Sequence, residues 1–208
     1  MYTIKFLQYN DLRKQVLNEK ITLENVIDIS LEGKPSKEDK LHLTDVETWA
    51  KYAFENEKEY YTTIYKNDKP IACIDNYFLG VTIDFLTYNQ GELFIYLSMS
   101  YQKYDVINQN KDGSFNRYSD DKMFLRQINL FSSDEDKDVN NRILFKDNGI
   151  MNVETITEIR RPEPFMDYEE KETSVNITNN WIDCPKDYKD YEYLLDYKNI
   201  LKPEYLNL

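Results

Sequence analysis

Histidine occurs once in 208 residues, cysteine twice, glycine five times, and alanine only at positions 50, 53 and 72. Each scarcity removes a class of chemistry. The single histidine, His42 in Lys40-Leu41-His42-Leu43, would have to carry any Ser–His or Cys–His catalysis alone. No Gly-x-Ser-x-Gly elbow accompanies it. A zinc site would need His42, Cys73 and Cys184 to converge without any paired-ligand spacing. The five glycines form no phosphate-cradling cluster, so P-loop and dinucleotide fingerprints are missing. Two cysteines do not make a secreted disulfide framework. Cys73, within Ile71-Ala72-Cys73-Ile74, is expected to be a small buried hydrophobe, and Cys184 precedes a proline. No metal and no cofactor is expected.

Long apolar runs are missing too. None approaches the roughly 18 residues of a membrane span, so no membrane partner is expected. Met1-Tyr2-Thr3-Ile4-Lys5-Phe6 lacks the basic and apolar regions of a signal peptide, which makes the cytoplasm the expected location. Without a secretory route the Asn176-Ile177-Thr178 sequon is chance.

What the chain has in excess is acid and tyrosine. Thirty-eight acids against 26 bases leave a net charge of −12, and there are 18 Tyr, 10 Phe and 2 Trp to build a core. Residues 162–208 hold 11 acids and 5 bases, so this segment carries half the net charge. Phosphate contacts require clustered Lys and Arg, which argues against direct nucleic-acid binding. A basic protein partner is permitted, because an acidic surface steers a cationic one. Solubility alone also accounts for such a surface.

The pattern predicts one α+β domain, 1–208, built mainly of antiparallel β-sheet, with an acidic, Tyr-rich C-terminal segment over 162–208. Residues 59–101 organise it. Leu93, Ile95, Leu97 and Met99 alternate with Phe94, Tyr96, Ser98 and Ser100, and Val81, Ile83 and Phe85 with Thr82, Asp84 and Leu86. Asn67-Asp68-Lys69-Pro70 and Asn89-Gln90-Gly91 form turns, and Asn148-Gly149 marks a hairpin. Residues 2–9 and 26–31 are predicted strands, 11–20 a short helix, and 32–40 a surface loop. Thr44-Asp45-Val46-Glu47 has the form of a capping box opening a helix over about 45–58, expected to cover the sheet. Pro185 would open a second helix over about 186–201, with Tyr188, Tyr191, Leu194 and Leu195 at helical spacing.

Two acidic constellations bear on catalysis. Asp134, Asp136 and Asp138 imitate the first ligands of an EF-hand loop, but Val139 stands where glycine is required and Phe145 where glutamate is. Carboxylate pairs drawn from Asp84, Glu154 and Glu158 remain open as hydrolase or metal-dependent chemistry, because sequence cannot show whether two carboxylates face one cleft. No catalytic residue is assigned. The segment from 162 onward has clearer content. Asp167, Glu169, Glu170, Asp187, Asp190 and Glu192 supply charge, and Tyr168, Tyr188 and Tyr191 supply contact area at little rotamer cost. An amphipathic helix with its acids facing water explains the last part equally well.

A strongly acidic α+β chain of this size, with the acid/Tyr tail and the run Asn180-Trp181-Ile182-Asp183-Cys184-Pro185-Lys186-Asp187-Tyr188, resembles the immunity proteins of bacterial polymorphic-toxin systems. The resemblance implies a non-catalytic protein that binds a cognate toxin domain, often a basic nuclease, and covers its active or substrate-binding surface. A phage counter-defence protein that sequesters a host factor or mimics nucleic acid is the first alternative. A carboxylate- or metal-dependent hydrolase is the second.

Overall fold

Asn67 and Asp68 both take positive φ (51° and 61°), the pair of left-handed residues a tight hairpin turn requires. In the computed structural model, which describes residues 1–134, 136–160 and 165–199, they join two paired strands. Among the described residues secondary structure is mostly antiparallel β, 51% strand and 19% helical, an α+β chain. The contacts of the described residues group into two units, residues 1–95 with 185–195, and residues 96–184 with 196–199.

The first unit opens with β1 (Tyr2–Lys5), then β2 (Tyr9–Asn10) and β3 (Gln15–Val16), then α1 (Glu19–Asn25), α2 (Lys37–His42) and α3 (Val46–Glu55). The strands β4 (Tyr60–Lys66), β5 (Lys69–Tyr77) and β6 (Gly80–Asn89) follow. Their order is β1-β4-β5-β6, each strand antiparallel to the next. Register decides the faces. Ile64, Ala72, Ile74, Ile83 and Phe85 share one face, and all are buried. Tyr61, Thr63, Cys73, Asp75, Thr82 and Asp84 share the other. On that second face Cys73 packs with Leu86 and Leu93 against Tyr9, Val16 and Ile95.

The helical part departs from expectation for reasons that can be named. α3 begins one residue later than the sequence suggested, because the cap is Asp45 and not Thr44: its carboxylate accepts from the Thr48 amide at 2.8 Å. Trp49, Ala50 and Ala53 are buried, and the Trp49 indole donates to the Glu59 carbonyl at 3.0 Å. A true capping box sits instead inside the expected surface loop. Ser36 and Asp39 bond reciprocally at the start of α2. Residues 11–20 form the β2–β3 hairpin and the first turn of α1 rather than a helix. Residues 26–30 continue α1 as one wide π turn rather than a strand, with the Leu31 amide bonded to the Val26 carbonyl.

β7 (Glu92–Gln102) begins in the first unit, and its residues from 96 on belong to the second. There follow β8 (Tyr104–Gln109), β9 (Phe115–Arg117), β10 (Lys122–Ser133), β11 (Lys137–Phe145), β12 (Ile150–Ile159), β13 (Phe165–Ser174) and β14 (Trp181–Asp183). The order is β7-β10-β11-β12-β13, with β14 against the start of β10. Trp181 on β14 meets Phe124 at 4.7 Å and Tyr118 at 5.1 Å between ring centroids. Gly149, at φ 84°, closes the Asn-Gly turn between β11 and β12; a Cβ there would come within 3.1 Å of the Val175 carbonyl.

The helix expected over 186–201 does not form in its described part. Residues 192–195 and 197–199 are 3-10 turns. Pro185 and the side chains of Asp187 and Asp190, which bond to nearby backbone amides, commit the segment to turns. Residues 200–201, Pro162, Pro164 and Glu135 lie outside the described residues. Among the described residues no helix is long and apolar enough to cross a membrane.

Candidate functional site

The carboxylate chemistry left open by the sequence has one focus in the first unit. Across β4, β5 and β6, Tyr61 stands opposite Asp75 and Asp75 opposite Thr82, while Cys73 stands opposite Asp84. Asp75 and Asp84 are therefore diagonal neighbours on one face. Burial pushes the Asp75 carboxyl up to about 7, and the charges of Asp84 and Glu59 push in the same direction. A carboxylic acid near neutrality is what general acid–base chemistry uses. Cys73, Tyr61 and Thr63 on this face are buried, whereas Asp75, Thr82 and Asp84 are half-buried. Tyr9 lies over this face and donates to the Leu93 carbonyl at 2.6 Å, and the Thr63 hydroxyl donates to the Leu7 carbonyl at 2.7 Å. Burial also holds the Cys73 thiol well above its ordinary range, so it stays protonated. Sequence pattern did not single out Asp75, although a charged residue ending the apolar run 71–74 was its signal.

The other candidates for catalysis separate. Glu154 and Glu158 lie four residues apart on β12; Glu154 bonds Arg142 at 3.4 Å, and Glu158 stands opposite Asp138 and Met166. His42 stacks on Tyr52 at 4.1 Å between centroids and faces Glu38 at 3.4 Å. Cys73 and Cys184 form no disulfide. Among the described residues no group of three or more His, Cys, Asp or Glu side chains could hold a metal ion.

The residues expected to bind a partner fall in two places. Asp187, Tyr188, Asp190, Tyr191 and Glu192 belong to the first unit, and Asp167, Tyr168, Glu169 and Glu170 to the second. Tyr191 is a correction. It is 0% exposed, its hydroxyl donates to Asn76 Oδ1 at 2.6 Å, and it meets the hydroxyl of Tyr60. Desolvation drives its phenol far above the ordinary range. A side chain in that position anchors the segment and offers no contact area. Its neighbours are also occupied within the chain. Tyr188 stacks on Phe6 at 5.4 Å and donates to Glu47 at 3.2 Å, while Lys189 pairs with the same Glu47. Asp187 accepts from the Lys189 amide at 2.7 Å and Asp190 from the Lys186 amide at 3.1 Å. Glu192 is exposed at the start of its 3-10 turn.

Asp167, Tyr168, Glu169 and Glu170 lie on β13, a strand the sequence concealed. All its residues except Thr173 are exposed. It ends the strand order, and among the described residues it pairs only with β12. Register puts Met166, Tyr168, Glu170 and Glu172 on one face and Phe165, Asp167, Glu169 and Lys171 on the other. On the first face, Glu170 stands opposite Glu154, which in turn pairs with Arg142; that guanidinium offsets the like-charge contact. Phe165, Met166 and Tyr168 expose 55%, 69% and 53% of their surface. Phe165, Met166 and Glu172 join the four expected residues on this strand; without apolar alternation, nothing in the sequence marked 165–174 as extended. No family model, no curated protein and no solved structure matches this chain.

Proposed function

We propose that this protein is a non-catalytic inhibitor of the immunity kind, which neutralises a basic toxin domain by covering its active or substrate-binding surface. One observation carries the reading: β13 sets four acids and three large exposed apolar side chains along a strand that, among the described residues, pairs only with β12. Carboxylates arrayed this way occupy positions that nucleic-acid phosphates take on a basic protein, and the aromatic and thioether groups supply desolvated contact. Asp167, Tyr168, Glu169 and Glu170 carry the recognition. Asp187, Tyr188 and Asp190 hold the chain's own fold.

The test is capture from lysate of the native host with wild type and with Asp167→Lys/Glu169→Lys/Glu170→Lys, followed by co-expression of the captured partner. One basic partner held in equal amount by wild type, lost by the variant, and toxic unless wild type is co-expressed, is the expected outcome. A partner that binds both forms alike, or whose toxicity wild type does not relieve, would refute the proposal.

A further inference from the structure

The backbone of β13 says how a partner would be held, an inference that rests on the inhibitor reading above. The Arg160 amide donates to the Asp136 carbonyl at 2.7 Å, and the Val175 amide to the Gly149 carbonyl at 2.8 Å. In an antiparallel ladder, residues alternate between bonding a neighbour with both backbone groups and turning both away. The two bonds set the same phase. Even-numbered residues of β12 bond to β11, and odd-numbered residues bond to β13. The β12–β13 register runs unbroken from Ile150↔Ser174 to Ile159↔Phe165. Phe165, Asp167, Glu169, Lys171 and Thr173 therefore bond inward. Met166, Tyr168, Glu170, Glu172 and Ser174 turn their amides and carbonyls to the edge that no strand among the described residues pairs with. The Tyr168 amide is consistent with that phase, since its partner is the adjacent Asp167 carboxylate at 3.0 Å rather than a strand.

An edge of ten residues, about 33 Å long at the usual strand rise, is a template for another strand unless something blunts it. Proline and bulge are both missing from β13. What protects it is charge: Asp167, Glu169, Glu170 and Glu172 against Lys171 leave −3 over the strand. That charge also selects the occupant. A second copy would bring acids against acids, which is destabilising when they stand opposite one another. A strand bearing Lys or Arg opposite the acids and apolar residues opposite Phe165, Met166 and Tyr168 satisfies both the backbone and the side chains.

We infer that β13 receives an extended basic segment of a partner protein as an added antiparallel strand, bonded to the backbone of Met166, Tyr168, Glu170 and Glu172. The partner strand then reads basic at its start and apolar at its end.

The probe is the fluorescent peptide Lys-Thr-Lys-Lys-Val-Lys-Val-Ile, which runs opposite residues 172 to 165 when antiparallel. Its binding to the full chain is followed by anisotropy in three forms: unmodified, N-methylated at its third and fifth residues, and N-methylated at its fourth and sixth. The third and fifth amides face β13 and the fourth and sixth face away. Strand addition requires the first methylated form to bind at least tenfold more weakly than the unmodified peptide and the second to bind about equally. Because the change is made in the peptide, the fold of the protein is never at stake. If all three forms bind alike and all are lost to Glu170→Lys/Glu172→Lys, recognition is by side-chain charge alone. That result overturns strand addition and leaves the inhibitor reading intact. Absence of binding by any form overturns strand addition outright, while partner capture from lysate decides the inhibitor reading separately.

Discussion

Asp75→Asn should make this protein more stable, and increasingly so as pH rises. In the native state Asp75 is flanked by Tyr61 and Thr82, with Asp84 on the diagonal, and its carboxyl is raised from 3.8 to about 7. Burial is the leading cause and the charges of Asp84 and Glu59 follow. Since the folded state holds the proton more tightly than the unfolded state, the two differ most where the unfolded group has ionised and the native one has been forced to. The penalty is absent below the unfolded value, grows between about 4 and about 7, and is constant above. Each tenfold difference in proton affinity between the two states corresponds to about 1.4 kcal/mol, so the ceiling is ~4 kcal/mol, reduced by whatever local relaxation admits water. Asparagine has the same shape and no charge to desolvate. Urea unfolding of wild type and Asp75→Asn should give nearly equal stabilities at about pH 4 and a gain of ~2–4 kcal/mol for the variant at about pH 8. An advantage that does not change with pH, or a variant that is weaker at the higher pH, would show that Asp75 is not held as a strained carboxylate.

Other outcomes follow from the same contacts. Asp45→Ala removes the cap of α3 and should cost about 1 kcal/mol, read as a lower urea midpoint at unchanged slope. Tyr191→Phe leaves Asn76 without its donor in a buried place and should cost ~1–3 kcal/mol in the same assay. The triple charge reversal on β13 should stay within about 0.5 kcal/mol of wild type, separating an anchor from a surface. Lys58→Met breaks the 2.9 Å contact to Asp39, whose side chain is 4% exposed, and should cost ~1–3 kcal/mol at neutral pH. Burial alone would raise the Asp39 carboxyl, but the bonds from Lys58 and Ser36 outweigh it and hold it at about 2. The stabilisation it supplies is present above the unfolded carboxylate value and lost as pH falls through about 2. In Lys58→Met acid unfolding should begin at a higher pH, which a circular-dichroism titration would detect.

Local rules were enough where a segment's own pattern and its burial agree. The alternation of 81–85 and 93–99, the Asn67-Asp68 turn and the Asn148-Gly149 hairpin are side-chain and backbone preferences that need no distant partner, and they lie on β6, β7 and two observed turns. Where apolar runs are short, period alone does not choose. Residues 11–20 and 26–31 fit either helix or strand by count, and what chose was the Asn18 carboxamide accepting from the Ile21 amide, which starts α1 and carries it on into the π turn. In 186–199 the helical spacing of Tyr191 and Leu194 was present, but burial of those two residues together with the turns made by Asp187 and Asp190 produced 3-10 geometry instead. The candidate site was half visible: its acids and Tyr168 stand out by composition, while the strand that aligns them does not. β13 buries almost nothing, so no hydrophobic signal marks it; its conformation comes from the backbone bonds β12 offers. Asp75 shows the converse. Its chemistry is set by desolvation and by Asp84 on the next strand, and both exist only once β4, β5 and β6 have come together.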